Sequence, residues 1–225
     1  MTLRPNPIRL ALAALLLAAL GGVAWRAATG WAPSRSDYPS QGVVVPAGAH
    51  PSWHVLGATG VDFAYIEATL GGRVLPGWAE QSARAAKNGI RHGAIIGYSP
   101  CSPASGQAAA FVTSVARAPG LLPPAIRLDW PAGCTARPDR ALILSELATL
   151  LAQVEGHSGK PALLLVTPAF EQAYAISAAI DRTVWVEGDW LAPDYAARPF
   201  VMWTANHARR LRGSDRPLPW VVVQP

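Results

Sequence analysis

Pro123-Pro124-Ala125-Ile126-Arg127-Leu128-Asp129-Trp130 is the stretch that decides how this chain folds. Its aliphatic core, Ala125 to Leu128, reads as a short buried strand, and Pro131-Ala132-Gly133 stops it. On an alternating strand Arg127 and Asp129 share a face, with Asp129 nearer the exit. An acid at the exit of a parallel strand is where α/β enzymes place their chemistry.

The flanking sequence repeats the same grammar. Upstream, 41–45 is a strand, 51–56 a helical turn, 61–69 a strand followed by a Gly71-Gly72 loop, and 78–87 a helix stopped by Asn88-Gly89. Residues 90–98 form the next strand, with Gly93 and Gly97 marking close packing, and 105–116 a helix. Downstream, Asp139 caps a helix over 140–156. Then come a strand at 160–167, a helix at 168–179, and strands at 183–186, 200–204 and 220–223, with little helix between the last three. Strands alternating with helices imply βαβ units and a parallel sheet. About eight strands, helices early and few late, predict a TIM-like (β/α) barrel lacking some helices in its C-terminal part. A doubly wound open sheet is the alternative, although no Gly-rich phosphate loop opens any helix.

With 225 residues, 51% hydrophobic and 15% charged, the chain can bury one sizeable core. The same composition argues against disorder despite 21 Pro. Arg4 and Arg9 precede an uncharged apolar run over 10–25. That run is short for a bilayer span, which needs about 20 residues, and long enough for a secretory signal. Gly22-Val23-Ala24 offers a small-x-small cleavage site. Residues 1–28 are therefore expected as a signal peptide or an N-terminal membrane anchor. Either one exports the body of the protein, to the periplasm; a buried soluble helix is the third reading. A polar linker over 29–40 and a barrel over 41–225 complete the expected organisation.

The net charge of +5 suits an acidic polymer or an anionic membrane surface, and Arg209, Arg210 and Arg212 form a local cluster. No basic and aromatic interleaving points to nucleic acid. The five His are scattered, so no metal or cofactor is expected, and the oligomeric state is not encoded legibly. Cys101 and Cys134 each lie just beyond a strand end. In an oxidising compartment they pair most simply as a disulfide, with two buried thiols as the alternative.

Several motifs resemble the lysozymes of glycoside hydrolase family 25, from about residue 38 to residue 223. Gly60-Val61-Asp62-Phe63-Ala64-Tyr65-Ile66-Glu67-Ala68-Thr69 resembles the family's Gly-hydrophobic-Asp-Phe-hydrophobic-Tyr-Ile-Lys-Ala-Thr strand. Leu122-Pro123-Pro124 stands where the family has Leu-Pro-Pro, and Cys101 and Cys134 match a cysteine pair of one branch. The resemblance implies a barrel lacking some helices and an ancestry in peptidoglycan cleavage. It also implies acids that this chain lacks. Val44 stands at the position of the first-strand Asp. Arg127 and Asp129 stand at the positions of the central Asp-x-Glu, Leu70 follows Thr69 where the family has Glu, and no carboxylate lies in Trp220-Val221-Val222-Val223.

Asp129 is thus the one acid that matches the family pattern. A cation on its own face favours an ionised carboxylate, whereas a glycosidase acid must hold a proton. An Arg127–Asp129 salt bridge plugging the site is the expected arrangement. Glu67 and Glu187 also end strands. They either join Asp129 in a rebuilt catalytic pair, or, in the case of Glu67, neutralise Arg127. Tyr98, Trp130 and Trp203 are candidates to line a sugar groove, or else belong to the core. The expected function is an exported, catalytically degenerate family 25-like protein that binds peptidoglycan, another glycan or a protein partner. An active muramidase using Asp129 with Glu67 or Glu187, and a structural envelope protein with a filled barrel mouth, are the alternatives.

Overall fold

The computed structural model describes residues 7–225, so Arg4 of the expected positive flank lies outside the described residues. A long helix α1 (Pro7–Gly30) precedes β1 (Gln41–Val45), α2 (Trp53–Ala58), β2 (Phe63–Leu70) and β3 (Arg73–Val74). The chain continues through α3 (Trp78–Lys87), β4 (Arg91–Gly97), α4 (Ala104–Ser114), β5 (Ala125–Leu128) and α5 (Arg140–Ser158). It ends with β6 (Leu163–Val166), α6 (Pro168–Tyr174), α7 (Ile176–Ala179), β7 (Val184–Glu187), β8 (Met202–Asn206) and β9 (Trp220–Val223).

The sheet runs β1-β9-β8-β7-β6-β5-β4-β2, and β1 pairs β2 to close it, with Val44 opposite Tyr65. Closure excludes the open doubly wound sheet. Every pairing from β1–β2 round to β7–β8 is parallel. The expectation of a wholly parallel sheet fails at β9, which is antiparallel to both neighbours. Residues 207–219, which join β8 to β9, contain no helix and return the chain in the opposite direction. The short β3 forms a hairpin with β2 across Gly71-Gly72, which reads in the sequence only as a loop.

Alternation divides the apolar residues into two layers. Val44, Tyr65, Ile95, Ala125, Leu165, Trp185 and Val221 fill the barrel interior. Their strand neighbours, such as Val43, Ile66, Ile96, Ile126, Leu164 and Val186, pack outward beneath the helices. Eight strands leave room inside for side chains alone, and glycine makes part of that room. A Cβ on Gly93 would lie 2.6 Å from Cε1 of Tyr65, whose ring also meets Trp185 edge-on at 5.1 Å.

The helices start where the chain chemistry says they should. The Asp139 carboxylate accepts from the Leu142 N–H at 2.8 Å, and the Thr167 hydroxyl caps α6 with Pro168 behind it. The single helix expected over 168–179 is two, because Ala175 adopts φ 44° and breaks it. At the other end α1 runs past Arg26 to Gly30, and its stretch Ala11–Gly30, of mean hydropathy 1.7, is long and apolar enough to cross a membrane. The expected linker over 29–40 begins within α1, and its residues 31–40 are fastened to the barrel. The Gln41 amide donates to Pro33 O and Tyr38 O, and Arg35 pairs with Asp62 at 3.0 Å.

Cys101 and Cys134 form a disulfide, with Cα atoms 5.8 Å apart. It ties the loop after β4 to the loop after β5, so the two walls that flank Arg127 and Asp129 cannot separate. A cross-link spanning 33 residues removes chain entropy from the unfolded state, commonly about 2–4 kcal/mol. Cys101→Ala is expected to lower the unfolding free energy by that amount in urea titrations under oxidising conditions. An unchanged midpoint would show that the bridge contributes nothing.

Candidate active site

Glu67, Arg127 and Glu187 occupy interior-facing positions near the exits of β2, β5 and β7. One strand separates β5 from each of the others, β4 on one side and β6 on the other. The Arg127 side chain therefore reaches past a neighbour in both directions, and the three side chains together span the barrel mouth. Its Nη1 donates to Glu67 Oε1 at 2.5 Å, and its Nη2 lies 3.6 Å from Glu187 Oε1. All three side chains are less than a quarter exposed. The second oxygen of Glu67 accepts from the Ala47 N–H at 3.0 Å, while Arg127 Nε is buried without a partner. Both carboxylates thus have their charge answered within the barrel.

The expected Arg127–Asp129 ion pair is not formed. β5 ends at Leu128, so Arg127 still points into the barrel whereas Asp129 already belongs to the loop and is exposed. Asp129 Oδ1 accepts instead from the Trp130 N–H at 2.7 Å and from the Thr167 hydroxyl at 3.4 Å. Of the two roles open to Glu67, counter-ion to Arg127 is the one its geometry fills.

Glu67, Thr69, Tyr98, Arg127, Asp129 and Trp130 line one pocket of about 230 Å³. Glu67 and Asp129 therefore share a wall, and Glu187 stays behind Arg127. The Tyr98 hydroxyl, pushed up to about 12 by burial and by the nearby Glu146, remains a donor at any ordinary pH. Trp130 is clamped between the Arg137 guanidinium, 3.7 Å from its ring centroid, and Phe170 at 5.0 Å. Trp203 does not join them. Met202 and Thr204 take the interior positions of β8, so Trp203 faces outward, 3% exposed, against Trp31 and Tyr38. The placement of Trp203 in a sugar groove is thereby corrected. Among the described residues no cluster of three or more His, Cys, Asp or Glu is arranged to hold a metal ion.

A second polar group adjoins the first and went unread in the sequence. His207, just past β8, sets Nδ1 3.1 Å from Asp189 Oδ1 and Nε2 3.7 Å from Glu187 Oε2. The Glu187 carboxylate, with Asp189 behind it, raises the His207 pKa above its ordinary 6.5 despite partial burial. Tyr195 donates to Val166 O at 2.6 Å and accepts from the Glu187 N–H at 2.7 Å, which fixes the β7 exit. The signal was available: Glu187-Gly188-Asp189 and His207 lie at or just past the exits of neighbouring strands.

The family model of glycosyl hydrolases family 25 matches residues 47–207, which hold both the pocket and the ion-paired mouth. The chain belongs to this family. A family 25 glycosyl hydrolase from Bacillus anthracis superimposes with a TM-score of 0.78 at 25% identity, over 87% of this chain and 92% of that one. The bacterial lysozyme from Streptomyces coelicolor gives 0.72 at 18%, over 83% and 92%. A family 25 lysozyme from Aspergillus fumigatus gives 0.71 at 14%, over 83% and 94%. No curated protein matches. The two more distant structures speak for the fold, and in all three the alignment spans nearly the whole relative. This family 25 chain thus carries a barrel of the same kind, and the helix α1 precedes it.

Two outcomes follow from this geometry. Arg127→Met strands two carboxylates, and Glu67→Gln removes one of them. Each is expected to cost about 1–3 kcal/mol, and the double variant less than the sum by at least about 0.5 kcal/mol. Additive losses in a denaturation cycle would mean that the pair is not coupled. For His207, a raised folded pKa means that its stabilising contribution is complete below the unfolded value of 6.5 and is lost as the pH rises through the folded value. The Tm difference between parent and His207→Gln should therefore shrink as the pH rises above neutrality. A difference that grows with pH would reverse the assignment.

Proposed function

We propose that this family 25 protein is an exported, membrane-tethered module that binds peptidoglycan or a related glycan without cleaving it at a rate typical of a hydrolase. The observation that carries the proposal is the Glu67–Arg127–Glu187 ion pairing across the mouth. Glycoside hydrolysis by the usual retaining or inverting routes needs two groups at the scissile bond, one to protonate the leaving oxygen and one to attack or to activate water. Glu67 has one oxygen on a guanidinium and the other on a backbone N–H, and Glu187 stands between Arg127 and His207. Asp129 is exposed in the pocket with no uncommitted carboxylate opposite it among the described residues. Val44, at the family's first-strand Asp position, is buried within the barrel.

A substrate-assisted route, with the sugar's acetamido group as nucleophile, would relax the need for a second carboxylate. It would still require a protonated acid. Loss of general acid catalysis alone costs about a hundred- to ten-thousand-fold in rate. Export is supported by the apolar helix and the disulfide. The working-muramidase reading has one observation in its favour, namely that Glu67 and Asp129 line the same pocket.

Purified protein should co-sediment with cell walls while leaving their turbidity unchanged. Asp129→Asn and Glu67→Gln separate the readings. Steady clearing by the parent that either substitution abolishes would establish a rebuilt muramidase. Absence of co-sedimentation would favour a purely structural role.

A further inference from the structure

A helix ends with four carbonyls that have no partner of their own. In α1 the barrel supplies the donors. The Asn206 side chain, fully buried at the exit of β8, donates to Ala28 O at 2.8 Å and to Trp31 O at 2.9 Å. The Arg210 N–H donates to Thr29 O at 2.9 Å, and the Arg209 guanidinium to Gly30 O at 2.7 Å. Thr29 is buried, and the Trp31 ring packs on Trp203 at 6.4 Å. The foot of α1 is thus built into the barrel, and at a particular end. β8 runs parallel to β7 and onward to β5, so Asn206 lies at the same end as Glu67, Arg127 and Asp129.

From that foot the helix leaves the protein. Residues 11–27 are exposed on every face. They cannot be lying along the barrel wall, so an apolar span of bilayer length stands clear of the barrel on its exit side. The surface around the foot has the composition of a membrane interface. Trp25 is 56% exposed and carries the Arg210 guanidinium 5.0 Å from its ring centroid. Trp190 and Leu191, in the loop after β7, are 48% and 80% exposed, and Trp190 Nε1 reaches Ala28 O at 3.5 Å. Arg210, Arg212 and Arg216 are exposed on the β8–β9 loop, against Asp215 there and Asp189 and His207 beside it. Amphipathic rings belong at headgroup level, and basic residues next to a span are drawn to anionic lipid.

We infer that the exit end of the barrel rests on the bilayer, with Trp190 and Leu191 in the interface and Arg210 and Arg212 against anionic phospholipid headgroups. The pocket then opens beside the membrane. This rests on the tethered reading above, and it adds an orientation and a lipid-contacting surface.

The test uses the full chain in vesicles of phosphatidylcholine, with or without phosphatidylglycerol. An environment-sensitive fluorophore is attached through Leu191→Cys or, at the opposite end of the barrel, through Lys87→Cys. Leu191→Cys should blue-shift and be quenched at least about threefold more than Lys87→Cys by headgroup-spin-labelled lipid. The gap should widen with phosphatidylglycerol, and Arg210→Glu with Arg212→Glu should abolish that widening while leaving the pure phosphatidylcholine signal intact. Equal quenching at both positions would overturn the orientation. A gap indifferent to phosphatidylglycerol would overturn the headgroup contact. Intact mass of the membrane-bound protein decides the tether separately, since loss of residues 1–24 would remove the anchor on which the inference stands. Neither readout depends on cell-wall binding, so failure here and failure of the glycan-binding reading are distinguishable.

Discussion

Closure of the sheet by the β1–β2 pair is the constraint from which the rest follows. Once eight strands share one ring, every second side chain must fit a narrow lumen, and the residues at the strand exits must settle their charges with one another. Lower down, Tyr65, Trp185 and Gly93 solve a volume problem. At the mouth the problem is electrostatic. A guanidinium on β5 cannot leave the lumen, and the acids within reach are those that β2 and β7 present from one strand beyond each neighbour. The same geometry that would gather catalytic carboxylates instead gathers counter-ions.

Such an arrangement is conditional in its energetics. Partly buried charges pay desolvation and recover it only with good geometry, so an ion pair is weak evidence of stability and stronger evidence of specificity. Here Glu67 is matched on both oxygens, while Arg127 Nε remains without a partner. The mouth is satisfied in charge but not in every donor. That leaves a polar, charge-paired floor at the pocket lined by Glu67 and Arg127.

Much of this was legible in the chain, for identifiable reasons. The strands Ala125–Leu128 and Trp220–Val223 and the helix Trp78–Lys87 are set by local runs, stops and caps, and the structure places them within the predicted bounds. Family membership was carried by a strand motif and a Leu-Pro-Pro. What the sequence concealed is non-local. Spacing put Arg127 and Asp129 on one face, yet the strand ends between them and each finds other partners. The phase of β8 determines which way Trp203 points, and that phase is set by pairing with β7 and β9, which lie outside its own run of residues. Ala175 in a left-handed conformation breaks a helix that its composition would continue. The role of Asn206 depends on a helix end nearly 180 residues earlier, which no window can see.

The capped foot of α1 has a mechanical consequence. A domain hung from a flexible tether explores a volume that grows with tether length, by about 5–6 Å times the square root of the number of residues for Gly-rich chain. Here the residues after the helix are hydrogen-bonded and packed from the first, so there is no slack to let out. With α1 as the proposed anchor, reach would be replaced by address: the domain would keep one height and one tilt, and whatever it engages would have to come to it. Affinity in an arrangement of that kind is governed by the local density of ligand in a thin layer, so weak binding that would be useless in solution can suffice where the target is crowded.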